Sequence, residues 1–208
     1  MGQLTQIDSY LTLKKESSSI IKINKSKFIA QAFIANAAEE TNRLIAGVKK
    51  KFFDASHHPF AWRIGLDGNL FRFYDDGEPS GSSGKPILES IDKFKLTNLI
   101  VIVTRYFGGV KLGAGNLRRA YFDAACACLE NAGITEKIIC ETLKLEFDYN
   151  IINTVLSYLG KNKIKVTEIK SKNDNVNNAS LTIEVRISLI DTVKKDLLSL
   201  TAGKIKIL

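Results

Sequence analysis

The chain has 208 residues, 45% of them hydrophobic and 25% charged, enough for one large domain or two small ones. No apolar run reaches the length of a membrane span, and the first 20 residues lack a basic start followed by an apolar core, so a spanning or secreted protein is excluded from the expectation. The net charge of +8 favours acidic partners such as RNA, although excess lysine also serves solubility.

Taken in order, Ile21-Lys22-Ile23 alternates and Phe28-Ile29-Ala30 is apolar, and both predict strands. Leu44, Ile45, Val48 and Phe52 share one face of a predicted helix over Glu39 to Phe53. Phe60 to Ile64 and Leu70 to Phe73, separated by Asp67-Gly68-Asn69, predict a hairpin. A short helix from Gly84 to Phe94, entered through Pro86, leads to Leu99-Ile100-Val101-Ile102-Val103, a run suited to a strand buried on both faces. Leu117, Ala120, Tyr121, Ala124, Ala125, Cys128 and Leu129 then keep helical spacing, and Gly133 closes the helix.

From Lys137 onward the composition changes. Strands are predicted over Ile138 to Phe147, Ile164 to Ile169 and Leu181 to Leu189, with a last one over Lys204 to Leu208. Helices are predicted over Asn150 to Leu159, ended by Gly160, and from a cap at Asp191 to Leu200. An asparagine-rich turn, Lys172 to Asn178, separates the two middle strands. The order β-α-β-β-α-β is the split βαβ, ferredoxin-like arrangement. The fold class is therefore α+β, with one domain over 1–136 and a second over 137–208. Residues 1–136 hold 18 basic and 14 acidic side chains and residues 137–208 hold 12 and 8, so both halves are equally basic.

Two loops stand out. Asp75 to Leu88 contains two of the three prolines and three of the fourteen glycines, which gives a loop of defined shape and a candidate site, or a structural lead into the next helix. After the buried strand, Thr104 to Arg119 is a glycine-rich loop that opens a helix. Free N–H groups at that helix start, with Arg105, Lys111, Arg118 and Arg119 nearby, suit an anion, most naturally a phosphate. The glycines also permit close helix–sheet packing, with the arginines as solvated charges. The third glycine of the dinucleotide fingerprint and the Gly-Lys-Ser/Thr triplet of a nucleoside-triphosphate loop are both missing.

His57 and His58 are the only histidines, and as strand neighbours they point to opposite faces. Beside Asp75, Asp76 and Glu78, one of them suits a carboxylate-rich metal site or a general base, or else hydrogen-bonds a loop carbonyl. Ser80, Ser82 and Ser83 form no nucleophile elbow. Phe71, Phe73, Tyr74, Tyr106 and Phe107 interleave with Arg63, Arg72 and Arg105, a pattern that suits RNA base stacking or a strand core. Cys126, Cys128 and Cys140 have no metal spacing. Cys126 and Cys128 sit two apart on a predicted helix and point to different faces, and the odd count of thiols, all expected to be buried, fits a reducing cytoplasm.

Four blocks carry a resemblance: Lys25-Ser26-Lys27-Phe28-Ile29-Ala30; His57-His58 with Ala61-Trp62-Arg63; Asp75 to Leu88; and Val103 to Gly109 through Leu112-Gly113. In these the chain resembles the YigZ/IMPACT family over about residues 20–130. Ala114 stands where the family usually has Thr, and Asn116 where it usually has Gly. The resemblance implies an N-terminal α/β sandwich similar to the second domain of a small-subunit ribosomal protein. It also implies a C-terminal domain similar to the last domain of elongation factor G. Eukaryotic relatives are linked to translational control in amino-acid starvation through an extra N-terminal domain, for which this chain's length is expected to leave no room.

The function expected is a cytoplasmic protein that binds RNA or the ribosome and takes part in regulating translation, with no membrane, no cofactor, no metal and no catalytic residue. Arg105, Gly108, Gly109, Lys111, Gly113, Gly115, Arg118 and Arg119 would hold phosphate. Arg105 and one of the two adjacent arginines would face the loop while the other is solvated. His58, Asp75, Asp76, Glu78, Ser80 and Lys85 would form the adjoining functional loop. The alternative is a phosphate-directed hydrolase using His57 or His58 with the Asp75, Asp76 and Glu78 carboxylates.

Overall fold

The computed structural model describes residues 8–171 and 178–208. The protein is a mixed α and β molecule of two compact units, Ser9–Lys137 and Asp8 with Ile138–Leu208. Asp8 thus belongs with the C-terminal unit, against the contiguous division expected from sequence. Its carbonyl accepts from the Ile139 N–H at 2.8 Å and its carboxylate from the Ser188 N–H at 3.2 Å. Among the described residues no helix is long and apolar enough to cross a membrane.

In the N-terminal unit, β1 (Ser9–Leu13) pairs with β7 (Ile134–Ile138) as a separate two-stranded sheet. The main sheet has five strands: β2 (Ser17–Ile23), β3 (Ser26–Ile34), β4 (Phe60–Ile64), β5 (Leu70–Tyr74) and β6 (Leu99–Tyr106). Their order is β2-β3-β6-β4-β5, and every neighbouring pair is antiparallel. The central strand β6 explains its own continuous apolar run. Leu99, Val101 and Val103 face the cluster formed with α2 (Gly84–Lys93) and α3 (Ala114–Ala132), while Ile100 and Ile102 face Val48 of α1 (Ala38–Lys51). A strand sandwiched between helices must be apolar on both faces.

Helix α1 is two residues shorter at its end than the spacing predicts. Phe52 leaves helical geometry at the C-cap but still packs on the same cluster as Leu44, Ile45 and Val48, whereas Phe53 is 85% exposed and does not extend the apolar stripe. Pro86 sits in the first turn of α2, where its missing N–H has no intrahelical acceptor to lose. Helix α3 begins at Ala114 and closes at Gly133, whose φ of +67° suits glycine. Gly115 therefore lies inside the helix rather than in the loop.

In the C-terminal unit, β8 (Cys140–Asp148), β9 (Lys165–Ser171), β10 (Asn178–Arg186) and β11 (Ile205–Ile207) form a sheet in the order β11-β8-β10-β9, with α4 (Ile152–Lys161) and α5 (Ile190–Leu200) completing the sequence β-α-β-β-α-β. Alternate residues Leu143, Leu145, Phe147, Leu181, Ile183 and Val185 form one buried face, packed with Val155, Leu159, Val193 and Leu197 of the helices.

Several boundaries in this unit differ from expectation. The first strand breaks at Ile139, whose N–H and carbonyl pair with Asp8 and Ile187 rather than with the sheet. Short 3₁₀ turns, Tyr149–Ile151 and Ile187–Leu189, replace the predicted start of α4 and end of β10. Gly160 is inside α4. Asp191 is in the first turn of α5, with Leu189 at the cap position, and there its charge still favours the helix dipole. The predicted turn over Lys172 to Asn178 lies outside the described residues except for Asn178. Cys126 and Cys128 are buried, whereas Cys140 is exposed, contrary to an all-buried set.

Gly108 in the second loop and Gly115 in the helix that follows have opposite surroundings. A Cβ on Gly108 would lie 2.1 Å from the Lys25 carbonyl carbon, because the loop is pressed on the β2–β3 turn. A Cβ on Gly115 would meet nothing within 4 Å. Gly108→Ala is therefore expected to destabilise the protein by about 3 kcal/mol through overpacking. Gly115→Ala should stabilise it by up to about 1 kcal/mol through helix propensity. Urea unfolding midpoints of the two variants check both signs.

Candidate functional site

Asp75 organises the first loop from within. Its carboxylate accepts from the Gly81, Ser83 and Gly84 backbone N–H groups and from the Ser83 hydroxyl, at 2.8–3.1 Å. Burial pushes its pKa up, but these hydrogen bonds win and hold it below the usual carboxylate range. Three of the donors start α2, so Asp75 serves as a cap from nine residues upstream of Gly84. Gly84 is pressed on the Tyr74 backbone, where a Cβ would lie 2.7 Å away.

Glu78 points the other way, into the body of the unit. Its Oε1 accepts from Arg105 Nη1 and from the Tyr121 hydroxyl, each at 2.6 Å. Arg105 is buried at the end of β6 between the rings of Phe28 and Phe107, each 5.4 Å from its Cζ. Burial, then the Glu78 carboxylate, pushes the Tyr121 hydroxyl far above its ordinary range, so it stays a donor.

Arg105 and Glu78 line a cavity of about 410 Å³ that also meets His57, Phe107, Lys111 and the start of α3. The first N–H bonded at the head of that helix is Leu117's, to the Gly113 carbonyl at 3.0 Å. The N–H groups of Ala114, Gly115 and Asn116 are therefore those a helix start leaves without intrahelical acceptors. Gly113, with φ of +77°, makes the turn into the helix.

The sequence-predicted residues separate in space. Arg105, Lys111 and Gly113 come together at the cavity. Gly108 serves packing, and its N–H donates to Ser26 Oγ at 3.2 Å. Gly109, with φ of +82°, has open space around it. Arg118 does not face this loop as expected of one of the pair. It donates to the Gly81 carbonyl at 3.1 Å and to both oxygens of Glu89 at 2.9–3.0 Å, clasping α3 to the first loop. Arg119 is solvated and lies 3.6 Å from Asp123. Ser80 is exposed on the first loop, and Lys85 is exposed in the first turn of α2.

The two histidines exchange the roles the sequence suggests. His57, not His58, lines the cavity. Its Nδ1 lies 2.8 Å from the Asp76 carbonyl, which only accepts, so Nδ1 carries the proton and Nε2 of the neutral ring is an acceptor. His58 is buried, with Nε2–H donating to the Phe52 carbonyl at 3.0 Å. Asp76 accepts from the His58 N–H and from Lys49. The three carboxylates adjacent in sequence are thus each bound to different protein donors, and no shared ligand set forms. Among the described residues no three His, Cys, Asp or Glu gather as metal ligands.

Sequence reasoning missed Tyr121, which it placed in an apolar helix stripe. A tyrosine in such a stripe needs a partner for its hydroxyl, and that was the available signal. It also missed the cavity-lining Pro79, Leu112 and Leu117, whose apolar character gave no sign of a site. The interleaved aromatics are not core: Phe71, Phe73, Tyr74 and Phe107 are 40–49% exposed. The first three lie on β5, at the free edge of the five-stranded sheet.

Burial holds the His58 imidazole below its ordinary value of 6.5, outweighing the Phe52 hydrogen bond and the Asp76 charge. Between that lowered value and 6.5 the unfolded chain binds more protons than the folded one, so stability falls as pH drops through this window. The depressed carboxylates Asp75 and Asp76 lose their contribution only at lower pH, as it falls through their folded pKa values below 3.8. His58→Gln keeps a donor for Phe52 without titrating. Its urea stability is expected to change less than the natural protein's between about pH 7 and pH 5. Equal slopes in the two proteins would refute the assignment.

Residues 24–129 match the Impact N-terminal domain family. The chain is 34% identical over 163 residues to IMPACT family member YvyE of Bacillus subtilis, covering 78% of this chain and 75% of that protein. It is 44% identical over 110 residues to an IMPACT family member of Thermus thermophilus, covering 53% and 58%. A crystal structure described only as that of a hypothetical protein superposes with a TM-score of 0.67 at 25% identity, over 97% of each chain. A Dictyostelium discoideum IMPACT homolog matches over 43% of this chain and 26% of its own length. By the extent of these matches, the chain belongs to the IMPACT family.

Proposed function

We propose that the protein binds RNA, free or within the ribosome, as a non-enzymatic cytoplasmic component in the regulation of translation. The observation that carries this is the exposure of Phe71, Phe73 and Tyr74 on edge strand β5, with Arg72 between them. Phe71 and Phe73 project from one face of the strand, and the Arg63 guanidinium lies 5.1 Å from the Phe71 ring centroid, held by Asp92. Half-exposed rings beside arginines stack bases of a single strand without reading their sequence. The positive net charge supports approach to a polyanion.

The strand order β11-β8-β10-β9 supports assigning the C-terminal unit to the ferredoxin-like class, similar to the last domain of elongation factor G. The N-terminal unit is assigned to the α/β sandwich class of a small-subunit ribosomal protein's second domain. The sheet face opposite α4 and α5 carries ion pairs, Lys144 with Glu146 and Lys165 with Glu184. These strands offer no exposed aromatic ring, whereas β5 of the N-terminal unit carries three. The hydrolase alternative is disfavoured because Asp75, Asp76 and Glu78 are already committed to protein donors.

Filter binding to a single-stranded oligoribonucleotide over a salt series tests the proposal. Affinity should fall linearly on a log–log plot against salt. Phe71→Ala with Phe73→Ala should weaken it by about tenfold or more, at about 1–3 kcal/mol per stacked base. Undetectable affinity for both RNA and ribosomes at low salt would overturn it.

A further inference from the structure

We infer that the tip of the β2–β3 hairpin, with Lys22, Lys25 and Lys27, is a contact for the phosphate backbone of RNA. It lies at the opposite edge of the five-stranded sheet from the β5 rings. The inference rests on the reading that the protein binds RNA, and it adds a surface that reading does not use.

The hairpin concentrates one sign of charge. Its three lysines fall within residues 22–27, and residues 17–34 contain no Asp or Glu. Lys22 and Lys27 are directly opposed across the antiparallel ladder. Like charges at opposed positions repel, so this pairing weakens the hairpin that carries it. Among the described residues none of the three lysines has a carboxylate partner. The Lys27 ammonium lies instead 5.7 Å from the Tyr106 ring centroid. Neighbouring acids do not relieve the repulsion, since Asp54 accepts from the Tyr106 hydroxyl and Glu78 from Arg105.

The turn itself supplies a second, independent sign. Asn24 and Lys25 have φ of +44° and +66°, the pattern of a type I′ hairpin turn. Glycine is the favoured residue at the second of these positions, and lysine there holds a conformation that costs strain. Gly108, pressed on the Lys25 backbone, braces the turn in that shape. A charged side chain kept at a strained tip, where glycine would relax it, marks a position serving more than stability.

Unneutralised lysines on one rigid tip fit a polyanion whose charges are spaced along a chain. Phosphates of a nucleic-acid strand meet that description, and lysine contacts to them position the strand without reading sequence. An anionic membrane is the other extended polyanion. The tip, Asn24-Lys25-Ser26, has no apolar side chain to enter a bilayer, so the observations favour RNA.

Filter binding of a single-stranded oligouridylate to the full-length protein over a salt series tests this. With Lys22, Lys25 and Lys27 all changed to Gln, the log–log salt slope should become shallower by about 2, at about 0.7 per phosphate contact. Affinity at low salt should fall by about tenfold or more. Phe71→Ala with Phe73→Ala should weaken binding and leave the slope unchanged, because stacking releases no counterions. Lys25→Gly should raise the urea midpoint by relieving the turn, yet make the slope shallower by about 0.7. Lys161→Gln with Lys195→Gln and Lys204→Gln, an equal change of net charge in the C-terminal unit, should leave the slope unchanged. Circular dichroism checks that each variant stays folded.

A full slope in the hairpin variant, or an equal loss in the C-terminal control, overturns the inference. So does hairpin-dependent flotation with phosphatidylserine vesicles while RNA affinity is retained. If the natural protein binds RNA and only the ring variant weakens it, the hairpin contact alone falls. If neither RNA nor ribosomes bind at low salt, the RNA reading falls with it.

Discussion

One carboxylate oxygen, Oε1 of Glu78, joins three segments that are far apart in the chain. It accepts from Arg105 at the end of β6 and from Tyr121 in α3, while Glu78 itself belongs to the loop after β5. Taking two charges out of water costs several kcal/mol per ion, and the pair is tolerated only because it is close and further hydrogen-bonded. Tyr121 supplies that further bond. Its hydroxyl cannot ionise in this setting, so the donor is permanent. Removing either charged partner would strand the other at a cost of about 3–5 kcal/mol. The loop position, the end of the strand and the first turns of the helix are therefore set together, and the cavity between them is a consequence.

The same loop shows what a sequence discloses and what it withholds. The two-faced burial of β6 follows directly from five consecutive apolar residues, and the closure of α3 follows from Gly133. The hairpin of β4 and β5 follows from Asp67-Gly68-Asn69 between two apolar runs. Asp75, Asp76 and Glu78 also look like one cluster in the sequence. In space Asp75 turns back on Gly81, Ser83 and Gly84, Asp76 turns to Lys49 and His58, and Glu78 turns inward to Arg105. Proximity along a loop says little about direction, because Gly77, with φ of +85°, and Asp76, with φ of +47°, redirect the chain between them.

Adjacent arginines pose the same difficulty in a helix. Arg118 and Arg119 project about 100° apart, and only the tertiary neighbours decide which is engaged. Arg118 meets Glu89 on α2 and is thereby held as a structural clasp, a role that spacing within α3 could not disclose. The break at Ile139 is equally silent in sequence, since the residues on both sides have strand character. Its cause is Asp8, more than a hundred residues earlier.

The exposed edge strand is the remaining tension in the fold. An apolar edge with free backbone groups invites pairing with another copy. In β5 the central residue of Leu70–Tyr74 is Arg72. Two copies pairing antiparallel about that centre would set Arg72 against Arg72, a like-charge contact that disfavours the isologous dimer. Arg72 projects from the face opposite Phe71 and Phe73, so it opposes a second copy of the strand at this edge without covering the two rings.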